Sequence, residues 1–339
     1  MHFRGKLIFL TLVYAIYLAA FGAFAWWHQA MMPASRTAKP VIVKIANGSS
    51  FKMIAAELQK KGVIRSKDAF YVLAWLGKRL SDIKAGEYKL SPAMSPDEIL
   101  DILVSGKVVQ HLITIPEGYN MFQIASLLDR AGLAKKKAFL EVCTDKNFLS
   151  EEGIHEDSAE GFLFPESYYL TKNSSSREIA ATFIKQFMYI WKSNGFDKRA
   201  AEMGSNMHEI VTLASIVELE AAVAREKPLI AGVFWNRIKL KMPLQADPTV
   251  KYGVMVEKRI NRKRLTWKDL RKSTPYNTYT LKGLPKGPIC NPGIDSLQAI
   301  LYPKDTRYLF FVSKGNRTHY FSRTLKEHNR AVDKYIRHK

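Results

Sequence analysis

Two glutamates lie within an apolar stretch, MHEIVTLASIVELEAAV at 207–223, whose pattern predicts a packed helix. Burying an unpaired carboxylate is costly, so Glu218 and Glu220 need a physical explanation. On a helix, neighbours on one face lie three and four residues apart. The neighbours of Glu218 are all small: Ala214, Ser215, Ala221 and Ala222. Glu220 points about 200° away, among larger side chains, so the two carboxylates are not predicted to form a pair.

The small residues around Glu218 allow two interpretations. One is close packing of helices, in which the glutamate is structural. The other is the floor of a site where a bulky substrate reaches the carboxylate. Apolar surroundings disfavour an ionised glutamate and keep it protonated to higher pH. A protonated carboxyl group can then donate to a leaving oxygen near neutral pH. The helix pattern leaves both interpretations open, because salt-bridged structural glutamates are common.

The segments that follow predict a helix and then polar loops. Pro228 stands at a favoured early position of the predicted helix 228–240. The stretches 241–253, 273–279 and 282–293 are rich in turn formers and are predicted to be loops. Loops with many amides, hydroxyls and aromatic rings are typical of a sugar-binding cleft. The candidate substrate contacts are Gln245, Asp247, Tyr252, Asn277, Tyr279 and Asn291. For each of them, a turn-stabilising side chain is the alternative.

The N-terminal segment predicts a membrane anchor. Residues 7–27 carry no charge, and a helix of this length spans roughly 31 Å, about one hydrocarbon core. Arg4 and Lys6 precede the apolar run, and Trp26 and Trp27 close it as an interfacial belt would. We predict a single-pass anchor with the body of the protein outside the cytoplasm, followed by a linker at 29–40. A cleaved signal peptide is the alternative, but its apolar core is usually only about 7–15 residues long.

Charge and cysteine content restrict the classes of partner and site. The formal net charge is +21, with 52 Lys and Arg against 31 Asp and Glu, which favours an anionic partner. An extracytoplasmic body argues against nucleic acid and leaves cell wall or a lipid surface, which the basic segment KRINRKR (258–264) would meet. Cys143 and Cys290 leave open one disulfide or two free thiols. Zinc-binding spacings are absent from the sequence, so neither a metal nor a cofactor is predicted.

The first half of the chain contains a repeat. Residues 41–102 resemble residues 111–182, with KIANGSS (44–50) aligned to TIPEGYN (114–120). Each copy reads strand, helix, helix, strand, helix, which predicts small modules and an α+β fold class. The last helix of each copy opens with a predicted capping box, Ser95/Glu98 and Ser175/Glu178, and Gly106 is predicted to end the first of them. Such a module is more often a binder or spacer than a catalyst.

Several longer motifs carry a family resemblance. ASIVELE, VFWNRIKLKMPLQADPTVKYG, STPYNTY, GLPKGPICNPG and HYFSRTLKEH resemble bacterial endolytic murein transglycosylases of the MltG/YceG type, and so does EGFLFPESY (160–168). The resemblance runs from about residue 41 to 339 and includes the anchor. The chain departs from the family pattern at Leu219, Lys286 and Cys290.

The resemblance implies an architecture and an activity. It implies a tail and anchor at 1–28, the linker at 29–40, a LysM-like module at 41–107 and a catalytic domain at 108–339. It implies that Glu218 is the catalytic acid and base, and it adds Glu166 to the candidate substrate contacts. The reaction would cleave MurNAc–GlcNAc bonds within nascent glycan strands at the inner membrane, leaving 1,6-anhydroMurNAc ends.

The same resemblance implies peptidoglycan as the partner, a role in ending glycan elongation and an association with glycan-polymerising synthases. Two other functions stay open on the residues alone. One is a hydrolytic muramidase with Asp247 as a second carboxylate, since ordinary glycosidases use two. The other is a non-catalytic protein that binds the cell wall as a scaffold.

Overall fold

The computed structural model describes residues 2–37, 39–258 and 264–337. The fold is α+β, as predicted. The helices are α1 (His2–Met31), α2 (Phe51–Lys60), α3 (Lys67–Leu76), α4 (Pro96–Ser105), α5 (Met121–Arg130), α6 (Lys136–Val142), α7 (Lys146–Glu151), α8 (Ser176–Ser193), α9 (Phe196–Glu202), α10 (Met207–Glu220), α11 (Lys227–Lys239), α12 (Asp247–Lys258), α13 (Trp267–Arg271), α14 (Ile294–Leu301) and α15 (Leu325–Val332). The strands are β1 (Val41–Ile45), β2 (Gly86–Leu90), β3 (His111–Thr114), β4 (Ser167–Leu170), β5 (Phe310–Ser313) and β6 (His319–Ser322).

The strands form three two-stranded sheets, β1 with β2, β3 with β4 and β5 with β6. The chain divides into two compact units. The first comprises Met1–His111 and Tyr169–Asn173, and the second comprises Leu112–Tyr168 and Ser174–Lys339. The division predicted from the sequence, with a module at 41–107 and a catalytic domain at 108–339, stays a prediction about function.

Helix α1 contains the predicted membrane span. Its segment Lys6–Met31 is long and apolar enough to cross a membrane, and it is the one such span among the described residues. None of its most apolar stretch is buried. The helix continues to Met31, so the predicted start of the linker at residue 29 was wrong. Beyond the helix, Arg65 Nε donates to the Pro33 carbonyl at 2.9 Å, and the Ser35 N–H donates to the Pro92 carbonyl at 2.9 Å. These bonds tie the linker to the first unit.

The first unit has its own small core. Strands β1 and β2 are antiparallel, with Val41 opposite Leu90, and their inner face packs against α2, α3 and α4. Apolar side chains from all five elements are fully or almost fully buried there: Val43, Ile54, Leu58, Phe70, Tyr88, Leu90, Ile99 and Leu103. The alternating strand pattern and the amphipathic helices therefore bury one face each, as the sequence predicts.

The predicted repeat is confirmed by the order of elements. The first copy runs β1, α2, α3, β2, α4, and the second runs β3, α5, α6, β4, α8 with α7 inserted before β4. Both predicted capping boxes form, Ser95 with Glu98 and Ser175 with Glu178. Gly106 ends α4 in the left-handed conformation, at φ 71°.

Helix α10 lies at the centre of the second unit. Every residue from Ile210 to Val217 is buried, and α10 contacts α11 and α14. The helix ends at Glu220, where Ala221 turns to φ −84° and ψ 112°. The predicted continuation to residue 223 was therefore wrong, and Ala221 and Ala222 do not lie on a helical face with Glu218.

One predicted loop is largely a helix. Residues 247–253 belong to α12, which begins at the Asp247–Pro248 pair. An acidic residue and a proline are favoured both in a turn and in the first turn of a helix, and the apolar residues that follow decide for the helix. The stretch 272–293, all of it described, contains neither helix nor strand, so the two later loops are confirmed. In the basic segment KRINRKR, positions 259–263 lie outside the described residues.

Candidate active site

The Glu218 carboxylate lies in the last turn of α10 and accepts hydrogen bonds from three groups. Lys227 Nζ lies 3.1 Å from both Oε1 and Oε2. The Gly293 N–H donates to Oε2 at 3.0 Å, and Ser296 Oγ donates to the same oxygen at 2.6 Å. The side chain is only 8% exposed, and that of Lys227 only 6%. The carboxylate is thus nearly buried and fully satisfied.

Helix α14 explains why the carboxylate is held at this place. Gly293 is its N-cap residue and Ser296 its third residue. The first turn of a helix has backbone N–H groups without partners and carries partial positive charge, so it attracts an anion. Glu218 accepts the N-cap N–H from another helix, much as the glutamate of a capping box does within one helix. The expectation of apolar surroundings was therefore wrong, because the side chain reaches from α10 to the polar start of α14.

The small residues of α10 serve close packing. Ser215 Oγ accepts the Ile289 N–H at 3.0 Å, and the Cys290 thiol donates to the Ser215 carbonyl at 3.3 Å. The loop 288–293 thus lies directly against the buried face of α10, and it delivers Gly293 to Glu218. Cys143 and Cys290 are both free and buried, so the two cysteines do not form a disulfide.

A second carboxylate, that of Glu117, lies beside this site. Its Oε2 is 3.8 Å from Lys227 Nζ, and its side chain is half exposed. Partial burial raises the pKa of Glu117, the charges of Glu218 and Asp295 raise it further, and Lys227 opposes them. Lys227 therefore contacts two carboxylates of different exposure.

Backbone hydrogen bonds fix the loop that carries Glu117 to the loop that carries Gly293. The Gly118 N–H donates to the Asn291 carbonyl at 3.0 Å, and the Asn291 N–H donates to the Tyr119 carbonyl at 2.9 Å. The Asn291 side chain adds a bond to the Tyr119 carbonyl at 2.8 Å and accepts the Leu163 N–H at 2.8 Å. Asn291, a predicted substrate contact, is fully buried and acts as a tether between loops.

Glu160 is the centre of a sealed polar network next to these loops. Its carboxylate accepts the Met121 N–H at 3.0 Å, the Tyr252 hydroxyl at 2.8 Å and Asn291 Nδ2 at 3.2 Å. Burial raises the pKa of Glu160 to about 8, although these hydrogen bonds oppose the shift. Tyr252, another predicted substrate contact, is thus almost buried and bonds to this carboxylate.

The other predicted substrate contacts lie in several settings. Asn277 is fully buried and donates to the carbonyls of Leu270 and Lys272 at 2.9 and 2.7 Å, so it stabilises its own turn. The Tyr279 hydroxyl donates to Asp247 Oδ1 at 2.7 Å in an exposed position.

Two of the predicted contacts remain on the surface. Gln245 is exposed, at φ 50°, and Glu166 accepts from Gln186 Nε2 at 2.6 Å. Within the described part of the chain, none of the seven predicted contacts hydrogen-bonds Glu218.

Glu220 has a separate environment. It is the last residue of α10. Burial raises the pKa of Glu220 to about 7, with Asp247 adding to the shift and Lys251 and Arg237 opposing it. The carboxylates at 218 and 220 therefore belong to different clusters, as the helix pattern predicted.

A groove with a volume of about 1390 Å³ opens beside the two clustered carboxylates. Its lining includes Gly118, which follows Glu117, and Leu219, which follows Glu218. It also includes Met121 and Tyr252, the donors to Glu160, so one predicted substrate contact lines the groove. Helices α5, α6 and α12 form its walls, and four cationic residues lie along it: Arg130, Lys136, Lys137 and Lys251. A groove of this size is larger than most small-molecule sites and fits part of a polymer.

Sequence reasoning missed the residues that contact Glu218. Lys227 precedes a helix-starting proline and carries no local signature of its own. Gly293 and Ser296 have the spacing of an N-cap and a third helical residue, which predicts a helix start but not which carboxylate meets it. Glu117 lies in the repeat segment TIPEGYN (114–120), and the repeat by itself gives it no functional role. Its Pro-Glu-Gly turn before the cap Asn120 is the one signal that pointed there.

Comparisons with known proteins identify the family of this chain. The sequence model of the YceG-like family matches residues 43–334. A Bacillus subtilis (strain 168) protein named endolytic murein transglycosylase is 36% identical over 337 residues, covering 93% of this chain and 90% of that protein. A protein of the same name from Streptococcus pneumoniae serotype 2 is 27% identical and covers 97% of this chain, which spans only 65% of that relative's length.

A solved structure is also similar. The crystal structure of a YceG-like protein from Listeria monocytogenes superposes with a TM-score of 0.59 at 32% sequence identity. The match covers 87% of this chain and all of that one. The family match, at residues 43–334, extends over both units of the fold and includes the segments that carry Glu117, Glu218 and Gly293.

Proposed function

The chain belongs to the YceG-like family, and we propose that it is an endolytic murein transglycosylase in which Glu218 is the catalytic acid and then the base. The observation that carries the proposal is the Glu218 carboxylate, held by Lys227, Gly293 and Ser296 beside a polymer-sized groove. The names of the relatives support the same class of reaction.

The proposed chemistry needs one proton and consumes no water. Glu218 in its protonated form gives its proton to the glycosidic oxygen as the bond from that oxygen to C1 of MurNAc breaks. The released GlcNAc carries a 4-hydroxyl. The Glu218 carboxylate then takes the proton of the MurNAc 6-hydroxyl while that oxygen bonds to C1, which yields the 1,6-anhydro end. Glu218 finishes protonated again, so one carboxyl group can serve both steps.

The three donors have a defined part in this scheme. A catalytic group must be held in the productive position, and the hydrogen bonds of Gly293 and Ser296 fix the carboxylate without moving parts. They also stabilise the negative charge that appears on Glu218 after it gives up its proton. Lys227 adds a buried cation to the same end.

The anchor and the first unit complete the proposal. Helix α1 would hold the enzyme at the inner membrane with its body on the outer side, within reach of nascent glycan strands. The 41–107 module would bind the cell wall in the manner of a LysM-like module and bring the groove to the strand. Cleavage of nascent strands beside the synthases that make them would end glycan elongation.

The deciding experiment is mass analysis of glycan products. Full-length protein in detergent would be incubated with uncrosslinked glycan strands, beside Glu218→Gln and Glu220→Gln. Glu220 is the matched control, because it lies on the same helix two residues away in another cluster. We expect 1,6-anhydro products from the wild type and from Glu220→Gln, and a loss of about 10²–10⁴-fold in rate for Glu218→Gln.

Three outcomes would contradict the proposal. Products heavier by one water would identify a hydrolytic muramidase. The second carboxylate proposed for that reaction, Asp247, accepts the Tyr279 hydroxyl and lies in the cluster of Glu220 rather than that of Glu218. Unchanged cleavage by Glu218→Gln would remove Glu218 from the chemistry, and no cleavage by any variant, including wild type, would favour the scaffold function.

A further inference from the structure

We propose that Glu117 is a positioning residue of the catalytic site, which shares Lys227 with Glu218 and thereby keeps on Glu218 the proton that the leaving oxygen takes. This inference rests on the proposed role of Glu218 and concerns how that role is maintained. Glu117 would not touch the reacting atoms; it would act through the lysine and through its own charge.

The geometry places one ammonium between two carboxylates. Lys227 Nζ lies 3.1 Å from both oxygens of Glu218 and 3.8 Å from Glu117 Oε2. Lys227 is nearly buried, so its charge is poorly screened by water and its partners matter. An ammonium paired with Glu218 alone would favour the ionised form of that carboxylate and oppose proton donation. A second carboxylate on the same ammonium offsets this effect.

Gly293 shows how closely the two carboxylates approach. Its N–H donates to Glu218 Oε2 at 3.0 Å. On its other side, a Cβ atom at this position would overlap the Glu117 carboxylate. The Gly293 backbone has φ −75°, which any residue adopts, so the absence of a side chain is needed for space and not for conformation. The glycine therefore admits Glu117 to the site.

The titratable groups that face Glu218 come from three elements. They are Glu117 in the loop before α5, Lys227 at the start of α11 and the Cys290 thiol in the loop 288–293. Asp295, in the first turn of α14, acts on Glu117. Burial raises the pKa of Cys290, so this group is neutral. Two carboxylates then share one ammonium in the described part of the site. Such a cluster binds a proton more readily than a single ion pair does.

The first copy of the repeat shows that the turn itself does not need a carboxylate. Asn47 stands in that copy where Glu117 stands in the second. The following glycines have the same conformation, φ 77° at Gly48 and φ 76° at Gly118. Both turns lead to a helix whose cap, Ser50 or Asn120, accepts a backbone N–H. The glutamate is therefore the feature that distinguishes the turn at the site.

The test is the pH dependence of glycan cleavage by Glu117→Gln in the full-length protein. Without the negative charge, Lys227 pairs with Glu218 alone. We expect the fall in kcat on the alkaline side to move to lower pH by about one unit, with KM changed by less than about twofold. Activity should recover toward that of wild type as the pH is lowered. Glu202→Gln, an exposed glutamate paired with Arg199, is the control and should leave the profile in place.

A second variant tests the position of the Glu117 carboxylate by changing Gly293, the residue beside it. Gly293→Ala keeps the N–H donor to Glu218 but displaces the Glu117 carboxylate. It should shift the alkaline limb in the same direction as Glu117→Gln. If both variants lose activity by an equal factor at every pH, or keep the wild-type profile, the inference is overturned.

The two proposals fail separately. An unshifted Glu117→Gln profile beside an inactive Glu218→Gln would remove only the role of Glu117. An active Glu218→Gln would remove the proposed function, and this inference with it.

Discussion

Glu218 and Glu160 are two carboxylates of the second unit, and each accepts hydrogen bonds from three residues. The groups around Glu160 are all neutral: an N–H, a phenol hydroxyl and an amide. Those around Glu218 include the ammonium of Lys227. The groove reaches both clusters, because its lining includes Leu219, next to Glu218, and Tyr252, a donor to Glu160. The first arrangement joins loops through neutral partners, and the second places a charged partner on the carboxylate.

The comparison also explains why several polar residues that the sequence placed in loops are not at the surface. Tyr252 and Asn291 both end on Glu160, and Asn291 in turn fixes the loops of Glu117 and Gly293. The sealed network is therefore the support of the proposed catalytic site. A hydroxyl or an amide in such a loop is as useful for holding the loop as for binding sugar.

The largest effect on stability is expected from removing the cation of the Glu218 site. Lys227→Met leaves a nearly buried carboxylate without its ionic partner, and we expect a loss of about 3 kcal/mol in the free energy of unfolding. Urea titration measures it, with Lys239→Met, an exposed lysine at the end of the same helix, as the control. If the loss is no greater than that of the control, Glu218 needs a cation no more than Glu160 does.

The next effect concerns the pH dependence of stability. Burial raises the pKa of Glu160 from 4.5 to about 8, so the folded state binds a proton that the unfolded state releases. Stability from this group is fully present below pH about 4.5 and is lost as the pH rises through about 8. Glu220, raised to about 7, acts in the same sense over a shorter range.

Thermal unfolding between pH 4.5 and 8 tests this expectation. The midpoint should fall with rising pH in the wild type, and Glu160→Gln should flatten the curve up to about pH 8. Glu220→Gln should flatten it only up to about pH 7. A wild-type slope retained in Glu160→Gln would show that the sealed network does not hold a proton.

A moderate effect is expected from one donor of the sealed network. Tyr252→Phe keeps the ring but removes a hydrogen bond to Glu160, at a cost of about 1–2 kcal/mol in unfolding free energy. Tyr252 lines the groove, but its hydroxyl is already bonded to Glu160, so KM for glycan strands should stay within about twofold of wild type. A raised KM at unchanged stability would return Tyr252 to the substrate contacts predicted from the sequence.

The smallest effect is expected at the exposed pair of Tyr279 and Asp247. Tyr279→Phe breaks a bond in contact with water and should change the unfolding free energy by less than about 1 kcal/mol. If these two residues contact the glycan, as the sequence predicts, KM should rise while Tyr252→Phe leaves it unchanged. If both variants keep the KM of the wild type, neither Tyr279 nor Tyr252 contacts the substrate.

Local pattern predicted much of the fold. The repeat, the capping boxes at Ser95 and Ser175, the early proline of α11 and the later loops are set by neighbours in sequence, and all are confirmed. The errors arose where one signal serves two structures. The Asp247–Pro248 pair begins α12 instead of a loop, and α10 ends at Glu220 because Ala221 adopts an extended conformation.

The sequence by itself determined that Glu218 and Glu220 lie in different surroundings, because the side chains of residues two positions apart point in different directions on a helix. It also determined an apolar N-terminal segment long enough for a membrane and, through its motifs, the family. Only the tertiary structure decided what meets Glu218. The residues around it come from three separate places in the chain, Glu117, Lys227 and the start of α14 with Gly293 and Ser296, and no local periodicity records contacts made across that distance. The tertiary structure likewise decided which polar residues are buried and support the site, because the type of a residue does not show whether its hydroxyl or amide is buried or exposed.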